Sequence, residues 1–207
     1  MNQLFSWRLP SIVALLLLVA AMGLLGGPSQ PADHLLLGWA GYRGASGVAA
    51  TIAQALTQLG NGLVLIPVGM VIMAFGWRRL GHQAALAAAA TLIIVRLAVE
   101  GMKAAVHRPR PGLDVHPALT HGFAFPSAHA ANSLATGLVA ALLLAPPERR
   151  PCWLAAGAAF GLLIGTTRPY LGVHWPSDVI GGWALALALV IAATPWINPK
   201  ASPAFEA

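Results

Sequence analysis

Charged side chains are scarce in this sequence. Of its 207 residues, 12 are lysine or arginine and 6 are aspartate or glutamate, which together make 9% of the chain. A soluble domain carries about 25% charged residues, so an ordinary water-exposed domain is excluded. Hydrophobic residues make up 57%, and the mean hydropathy is +0.72. The composition therefore predicts a single membrane-embedded domain, residues 1–207.

Cysteine is almost absent, and the basic residues form no stripe. Cys152 is the single cysteine, which excludes an intramolecular disulfide and says nothing about the compartment. The formal net charge is +6, but the cations are scattered among apolar runs. We therefore expect no nucleic-acid partner.

Six apolar runs are each long enough, or nearly so, to cross the hydrocarbon core of a bilayer. They cover residues 11–27, 62–77, 84–102, 128–145, 152–166 and 179–196. We expect an all-α polytopic membrane protein with six transmembrane helices in one bundle. The first run is alternatively part of a signal peptide, since Arg8 precedes it. In the long connection that follows, residues 48–59 are typical of a short connecting or interfacial helix.

The placement of the cations predicts an orientation, because six spans put both termini on one side. That side receives Arg8, Arg78, Arg79, Arg149, Arg150 and Lys200, and the positive-inside rule makes it cytoplasmic. The opposite side receives Arg43, Lys103, Arg108, Arg110 and Arg168. We expect a bacterial inner membrane, with these latter residues facing the periplasm or exterior.

Two polar stretches interrupt the apolar sequence, and the first begins with Lys103. This lysine offers a point charge, and Arg110 offers a planar fork that suits two phosphate oxygens. Both cations are alternatively snorkelling to lipid headgroups. Further on, Ser127 is placed to cap a helix that begins with Ala128 and His129. Free N–H groups at such a helix start attract anions, and a histidine there can donate a proton.

The second polar stretch pairs a histidine with a carboxylate. Pro176 favours the first position of a helix, which places Asp178 near the third, within reach of His174. A carboxylate bonded to one ring nitrogen fixes the tautomer and leaves the other nitrogen free to attack. Asp178 alternatively only complements the helix dipole. Arg168 adds a further guanidinium, and the whole inventory suits phosphoryl transfer.

Arg96 and Glu100 lie four residues apart inside the third run and can face each other on one helix side. They are either a mutually neutralising pair or, because Glu100 precedes Lys103 by one turn, a support that orients that lysine. The sequence does not decide between the two interpretations.

These residues form three ordered motifs: Lys103-x6-Arg110-Pro111, Pro126-Ser127-Ala128-His129, and Thr167-Arg168-x5-His174-x3-Asp178. With them the sequence resembles the type 2 phosphatidic acid phosphatase family of integral-membrane lipid phosphatases. The resemblance implies six helices, a site at the outer membrane face, and hydrolysis without a metal or other cofactor through a phosphohistidine.

The resemblance also implies roles for individual residues. His174 is the expected nucleophile, Asp178 its orienting partner, and His129 the general acid. The phosphate pocket is expected to contain Lys103, Arg110, Ser127, the Ala128 backbone N–H and Arg168.

The sequence departs from the family pattern at two positions. Thr167 replaces a serine and keeps the hydroxyl, so we expect it to support the site. Ala128 replaces a glycine: alanine strains the pocket if that glycine has a special backbone angle, and fits if it merely opens a helix. We favour the second interpretation.

A metal site is a weaker hypothesis. His107, His116 and His121 share the outer segment, but their spacings of nine and five residues match no compact zinc motif. We interpret these histidines as surface residues and Asp114 as part of a loop.

The leading hypothesis is therefore a phosphatase acting on a lipid phosphate or diphosphate, such as undecaprenyl diphosphate, phosphatidylglycerol phosphate or phosphatidic acid. The alternatives are a lipid phosphotransferase that uses the same site and a non-catalytic lipid-binding or anion-binding membrane protein. The sequence identifies neither the lipid nor the oligomeric state.

Overall fold

All described elements are helical. The computed structural model describes residues 7–39, 47–111 and 122–198. Its α-helices are α1 (Arg8–Leu25), α2 (Pro31–Trp39), α3 (Gly47–Gln58), α4 (Gly62–Leu80), α5 (His82–Val106), α6 (Ala128–Leu144), α7 (Arg150–Tyr170) and α8 (Pro176–Ile197), with a 3-10 turn at Pro147–Arg149. The all-α prediction is confirmed, and each of the six apolar runs coincides with a helix.

Four of the described helices are long and apolar enough to cross a membrane: α1, α4, α5 and α8. Helix α6 is apolar but has only 17 residues, and α7 contains Arg150 and Arg168 within its 21 residues. The structure thus supports four spans on length and composition, and the expected number of six is not confirmed.

Helix α6 forms the centre of the bundle and contacts α4, α5, α7 and α8. Its apolar residues, including Ala135, Leu138 and Val139, are buried in the main core. Gly137 permits a close approach to α7, since a Cβ atom there would lie 2.6 Å from the Gly157 carbonyl oxygen. Small residues at such contacts are typical of helices that pack within a bilayer.

The first helix packs along α8. A Cβ atom at Gly23 of α1 would lie 3.1 Å from the Phe125 ring, and one at Gly181 of α8 would lie 2.5 Å from it. Phe125 is completely buried and joins the core. The start of α6 is therefore held between the first and last helices.

Helix α3 confirms the short helix expected within residues 48–59, and its Gly47–Gln58 boundary differs by one residue at each end. Helix α2 was not predicted, because its nine residues mix apolar and polar side chains without a long run. Lys200 and Arg43, which entered the orientation prediction, lie outside the described residues, as do His116, His121 and Asp114.

Candidate active site at one end of the bundle

The chain brings the polar stretches together at one end of the bundle. Helix α5 ends there, α6 begins, α7 ends and α8 begins. These helix ends carry Lys103, Ser127, Ala128, His129, Arg168 and Asp178, while Arg110 and His174 lie in the connections beside them.

His174 and Asp178 form the pair that their spacing predicts. Pro176 is the first residue of α8, and Asp178 is the third. The Asp178 Oδ2 atom accepts a hydrogen bond from the Trp175 backbone N–H at 2.8 Å and lies 3.3 Å from Nδ1 of His174. Asp178 therefore caps its own helix and also fixes the imidazole.

Arg110 contacts the other side of the same imidazole. Its Nη1 atom lies 3.0 Å from Nε2 of His174 and donates to the Val173 carbonyl at 2.7 Å, while its Nε donates to the Gly122 carbonyl at 3.0 Å. Because a guanidinium only donates hydrogen bonds, Nε2 of His174 must accept. In the neutral ring the proton then resides on Nδ1 facing Asp178, and the Nε2 lone pair is directed toward Arg110.

The surroundings of His174 favour the neutral ring. Burial lowers the pKa of His174 well below its ordinary value of 6.5, and the positive charges of Arg110, Arg168 and Lys103 lower it further. Burial also lowers the pKa of Arg110, an effect that the Asp178 carboxylate opposes. The cations thus lie close enough to act on one imidazole, which stays unprotonated at neutral pH.

Ser127 occupies the N-cap position of α6, as predicted, but its hydroxyl makes no capping bond. Its backbone N–H donates to the Asp178 carbonyl at 2.9 Å, and its buried Oγ has no hydrogen-bond partner among the described residues. The predicted cap bond is therefore absent. A buried hydroxyl in this condition favours a ligand.

Ala128 is the first residue of α6, and its backbone needs no glycine. Among the described residues, His107 is the only non-glycine residue with a positive φ. This agrees with the interpretation that position 128 merely opens a helix. The next residue, His129, lies within electrostatic range of His174, Lys103, Arg110 and Arg168. A Cβ atom at Gly60 would lie 3.1 Å from its ring.

Arg168 is only 2% exposed. Its Nη1 atom donates to the Thr57 hydroxyl at 2.7 Å, and its Nε has no hydrogen-bond partner among the described residues. Thr57 comes from α3, so the connecting helix contributes to the site, which sequence reasoning did not anticipate. Two buried donors, at Arg168 and Ser127, are left for an anion.

Glu100 contacts both Arg96 and Lys103, as the two interpretations of the Arg96–Glu100 pair require. Glu100 lies 3.3 Å from Arg96 and 3.8 Å from Lys103. Arg96 and Glu100 are 53% and 47% exposed, whereas Lys103 is 13% exposed. The Thr167 hydroxyl donates to the Ile164 carbonyl in its own helix at 2.6 Å. The Thr167 hydroxyl is therefore bonded within its own helix.

No group of three potential metal ligands occurs among residues 7–39, 47–111 and 122–198. His107 ends α5 with a left-handed backbone conformation and packs edge-on against the Phe123 ring, with the centroids 4.4 Å apart.

Arg108 has a place in the site that sequence reasoning missed. Its side chain is 4% exposed and lies 2.7 Å from the Asp178 carboxylate. The sequence offered one signal, a third cation between Lys103 and Arg110, but its side-chain hydrogen-bond partners are 69 residues away or more.

Comparisons with known proteins identify the family. Residues 84–202 match the model of the PAP2 superfamily. The chain belongs to the PAP2 superfamily. A solved transmembrane PAP2 type phosphatidylglycerolphosphate phosphatase from Bacillus subtilis superposes with a TM-score of 0.75 and 25% identity, covering 90% of this chain and 93% of that one. The Aquifex aeolicus LpxE structure shares the fold, with a TM-score of 0.60, 21% identity, and coverage of 79% of this chain and 96% of that chain.

The names of two curated relatives state an activity. A phosphatidylglycerophosphatase B of Bacillus subtilis is 36% identical over 102 residues, 45% of this chain and 48% of the relative. An undecaprenyl-diphosphatase of Sulfolobus acidocaldarius is 31% identical over 136 residues, 63% of this chain and 62% of the relative. The chain thus spans about half to three fifths of these relatives. With its apolar helices, this PAP2 protein is an integral membrane protein.

Proposed function

We propose that this PAP2 protein hydrolyses a lipid phosphate or diphosphate through a phosphohistidine on His174. The observation that carries the proposal is the state of that imidazole. Its Nε2 lone pair is directed toward Arg110, and Asp178 holds the opposite nitrogen. An oriented, neutral imidazole beside several cations can attack a phosphorus atom once a bound phosphate oxygen accepts the Arg110 N–H in place of Nε2.

The phosphate oxygens are bound by Arg110, Arg168 and Lys103, with the hydroxyl of Ser127 and the Ala128 N–H at the start of α6. Support comes from the donors of Arg168 and Ser127 that are buried without a partner among the described residues. A bound anion accepts hydrogen bonds from these donors. The free-energy cost of leaving them buried and unpaired is then removed in the complex. The same cations stabilise the charge on the equatorial oxygens during transfer.

The reaction has two steps. In the first, Nε2 of His174 forms a bond to phosphorus, the bond from phosphorus to the leaving oxygen breaks, and His129 donates its proton to that oxygen. In the second, a water attacks phosphorus and gives its proton to His129, the phosphorus–nitrogen bond breaks, and phosphate leaves. The charge of the bound phosphate favours the protonated, donating form of His129.

The proposed setting is a bacterial inner membrane crossed by six helices, with the site facing the periplasm or exterior. Helices α6 and α7 complete the count although they are shorter or more charged than the other four. The exposed arginines 78, 79 and 149 lie at the end remote from the site, which supports a cytoplasmic assignment for that end. The relatives named for phosphatidylglycerophosphate and undecaprenyl diphosphate support a lipid with an anionic head as the substrate class.

The test is phosphate release by purified protein in detergent from a panel of lipid phosphates and diphosphates, with EDTA present. We expect release by the wild type, and a loss of at least about 1,000-fold in His174→Ala, because the nucleophile is gone. Release that requires a divalent metal, or that survives in His174→Ala, would contradict the proposal. Labelled phosphate that appears on an added lipid instead of in water would make the protein a phosphotransferase.

A further inference from the structure

We propose that Arg108 is a positioning residue that acts on His174 through Asp178. This inference rests on the proposed function, since it explains how the nucleophile is oriented. Arg108 falls among the six unspecified positions between Lys103 and Arg110, so the motif itself assigns it nothing.

The guanidinium of Arg108 binds the carboxylate on the side that faces away from His174. Its Nη1 atom donates to Asp178 Oδ1 at 2.7 Å and to the Ser177 hydroxyl at 2.9 Å. The second carboxylate oxygen, Oδ2, serves the Trp175 N–H and the His174 ring. Each carboxylate oxygen therefore has its own partners. Arg108 fixes the rotation of the Asp178 carboxylate, and the carboxylate in turn orients the His174 ring.

Arg108 is itself held in place by the first helix. Its Nη2 atom donates to the carbonyls of Met22 at 2.6 Å and Gly23 at 2.8 Å. These carbonyls belong to the last turn of α1, where the helix dipole favours a cation. The Met22 carbonyl also accepts a hydrogen bond from the Gly26 N–H at 3.2 Å. The guanidinium carbon also lies 4.6 Å from the centre of the Phe125 ring. The cation is thus confined by groups on two sides.

Asp33 of α2 completes this arrangement. It accepts hydrogen bonds from the Ser177 backbone N–H at 2.9 Å and from the Ser177 hydroxyl at 2.5 Å. The hydroxyl proton of Ser177 therefore points to Asp33, and its oxygen is available to Arg108. The residues of α1 and α2 in this network precede the region matched by the family model, so the N-terminal part of the chain supports the site.

The buried network also balances charge. Asp178 is completely buried, and Arg108 is 4% exposed. A buried carboxylate is stabilised in its ionised form by a paired cation, and removing the cation leaves an uncompensated charge. Arg110 lies within electrostatic range of the same carboxylate, while its hydrogen bonds to His174 and to the Val173, Gly122 and Phe123 carbonyls hold it on the other side of the imidazole.

The test is a double-mutant cycle with Arg108→Gln and Asp178→Asn, each measured for kcat and KM. We expect Arg108→Gln alone to lower kcat about 10- to 100-fold with KM changed less than about 3-fold, since Arg108 is directed away from the phosphate pocket. In the Asp178→Asn background the same change should lower kcat less than about 3-fold. Equal losses in both backgrounds, or a loss confined to KM, would overturn the inference.

Two further measurements separate positioning from folding. Arg108→Lys keeps the charge but cannot reach the α1 carbonyls and Asp178 together, so we expect partial recovery of kcat relative to Arg108→Gln. It should also move the acid limb of the pH profile upward, since the carboxylate is paired less well. An unfolded Arg108→Gln together with a wild-type pH profile for Arg108→Lys would show a merely structural role and overturn the inference.

A readout independent of activity is the 15N spectrum of labelled histidine in detergent. We expect wild-type His174 to show a single tautomer with the proton on Nδ1, and the Arg108 variants to lose that preference. An unchanged His174 tautomer in every folded Arg108 variant would contradict positioning. A wild type without lipid phosphatase activity but with this tautomer shift would overturn the proposed function alone.

Discussion

At the end of the bundle that holds His174, Arg108 and Arg168 are 4% and 2% exposed. At the other end Arg78, Arg79 and Arg149 are exposed, while Arg8 and Arg150 are buried. Placing an exposed arginine at a helix end costs little free energy, and such arginines set the orientation of the protein in the membrane. Burying a guanidinium costs several kcal/mol unless its bonds compensate. Burial alone therefore does not mark a functional cation. Arg108 and Arg168 are distinguished by where they are buried, since they bond to Asp178 and Thr57 beside His174.

The largest contrast between the two ends is expected from matched arginine variants. Arg168→Ala should lower kcat/KM about 100- to 1,000-fold, because it removes a buried donor from the phosphate pocket. Arg79→Ala should change it less than about 2-fold, since that side chain is exposed and remote. Phosphate release from one lipid substrate by both purified variants gives the comparison, with thermal melts to verify folding.

Arg168→Lys distinguishes charge from geometry at the same position. It keeps a positive charge but not the fork, so we expect activity between those of the wild type and Arg168→Ala. Equal losses of activity in Arg168→Ala and Arg79→Ala would show that the arginines at the two ends do not differ in function.

The pH dependence of kcat/KM should show a smaller effect of the cations that surround His174. Burial and the neighbouring cations lower the pKa of His174 well below 6.5, so the nucleophile stays neutral as the pH falls through that value. We expect the acid limb of kcat/KM to lie below pH 6.5, after correction for titration of the substrate phosphate.

Removing a cation from the site should move that limb. Arg168→Gln takes away a positive charge that disfavours the imidazolium, so the limb should shift upward in pH, while Arg79→Ala should leave it in place. A wild-type limb above pH 6.5, or an equal shift in both variants, would show that the cations do not act on His174.

The smallest effect is expected at Ala128. It opens α6 in a helical conformation, so Ala128→Gly should change kcat/KM less than about 3-fold and cost up to about 1 kcal/mol of stability. Activity assays and thermal unfolding check both values. A gain of 10-fold or more would mean that alanine strains the pocket.

The apolar runs predicted every long helix, because lipid demands continuous hydrophobic stretches that are easy to recognise. Helix α2 lacks such a run and depends on tertiary contacts of Asp33 and Leu37. The pairing of His174 with Asp178 was predictable, since both residues lie within one helical turn of a proline that starts α8.

Other parts of the site depend on contacts that sequence spacing does not reveal. The bond from Arg168 to Thr57 joins residues 111 positions apart, and that from Arg108 to Met22 joins residues 86 apart. Ser127 shows a different limit: its N-cap position was predictable, but the burial of its hydroxyl without a capping bond was not.

The central claim is that His174 carries the phosphoryl group, and a rapid acid-free quench with a 32P-labelled lipid phosphate tests it most directly. We predict a protein-bound label that is stable in base, is lost in acid, maps to His174, and is absent from His174→Ala. Turnover at the wild-type rate with no such label on His174, or labelling that persists in His174→Ala, would contradict the account.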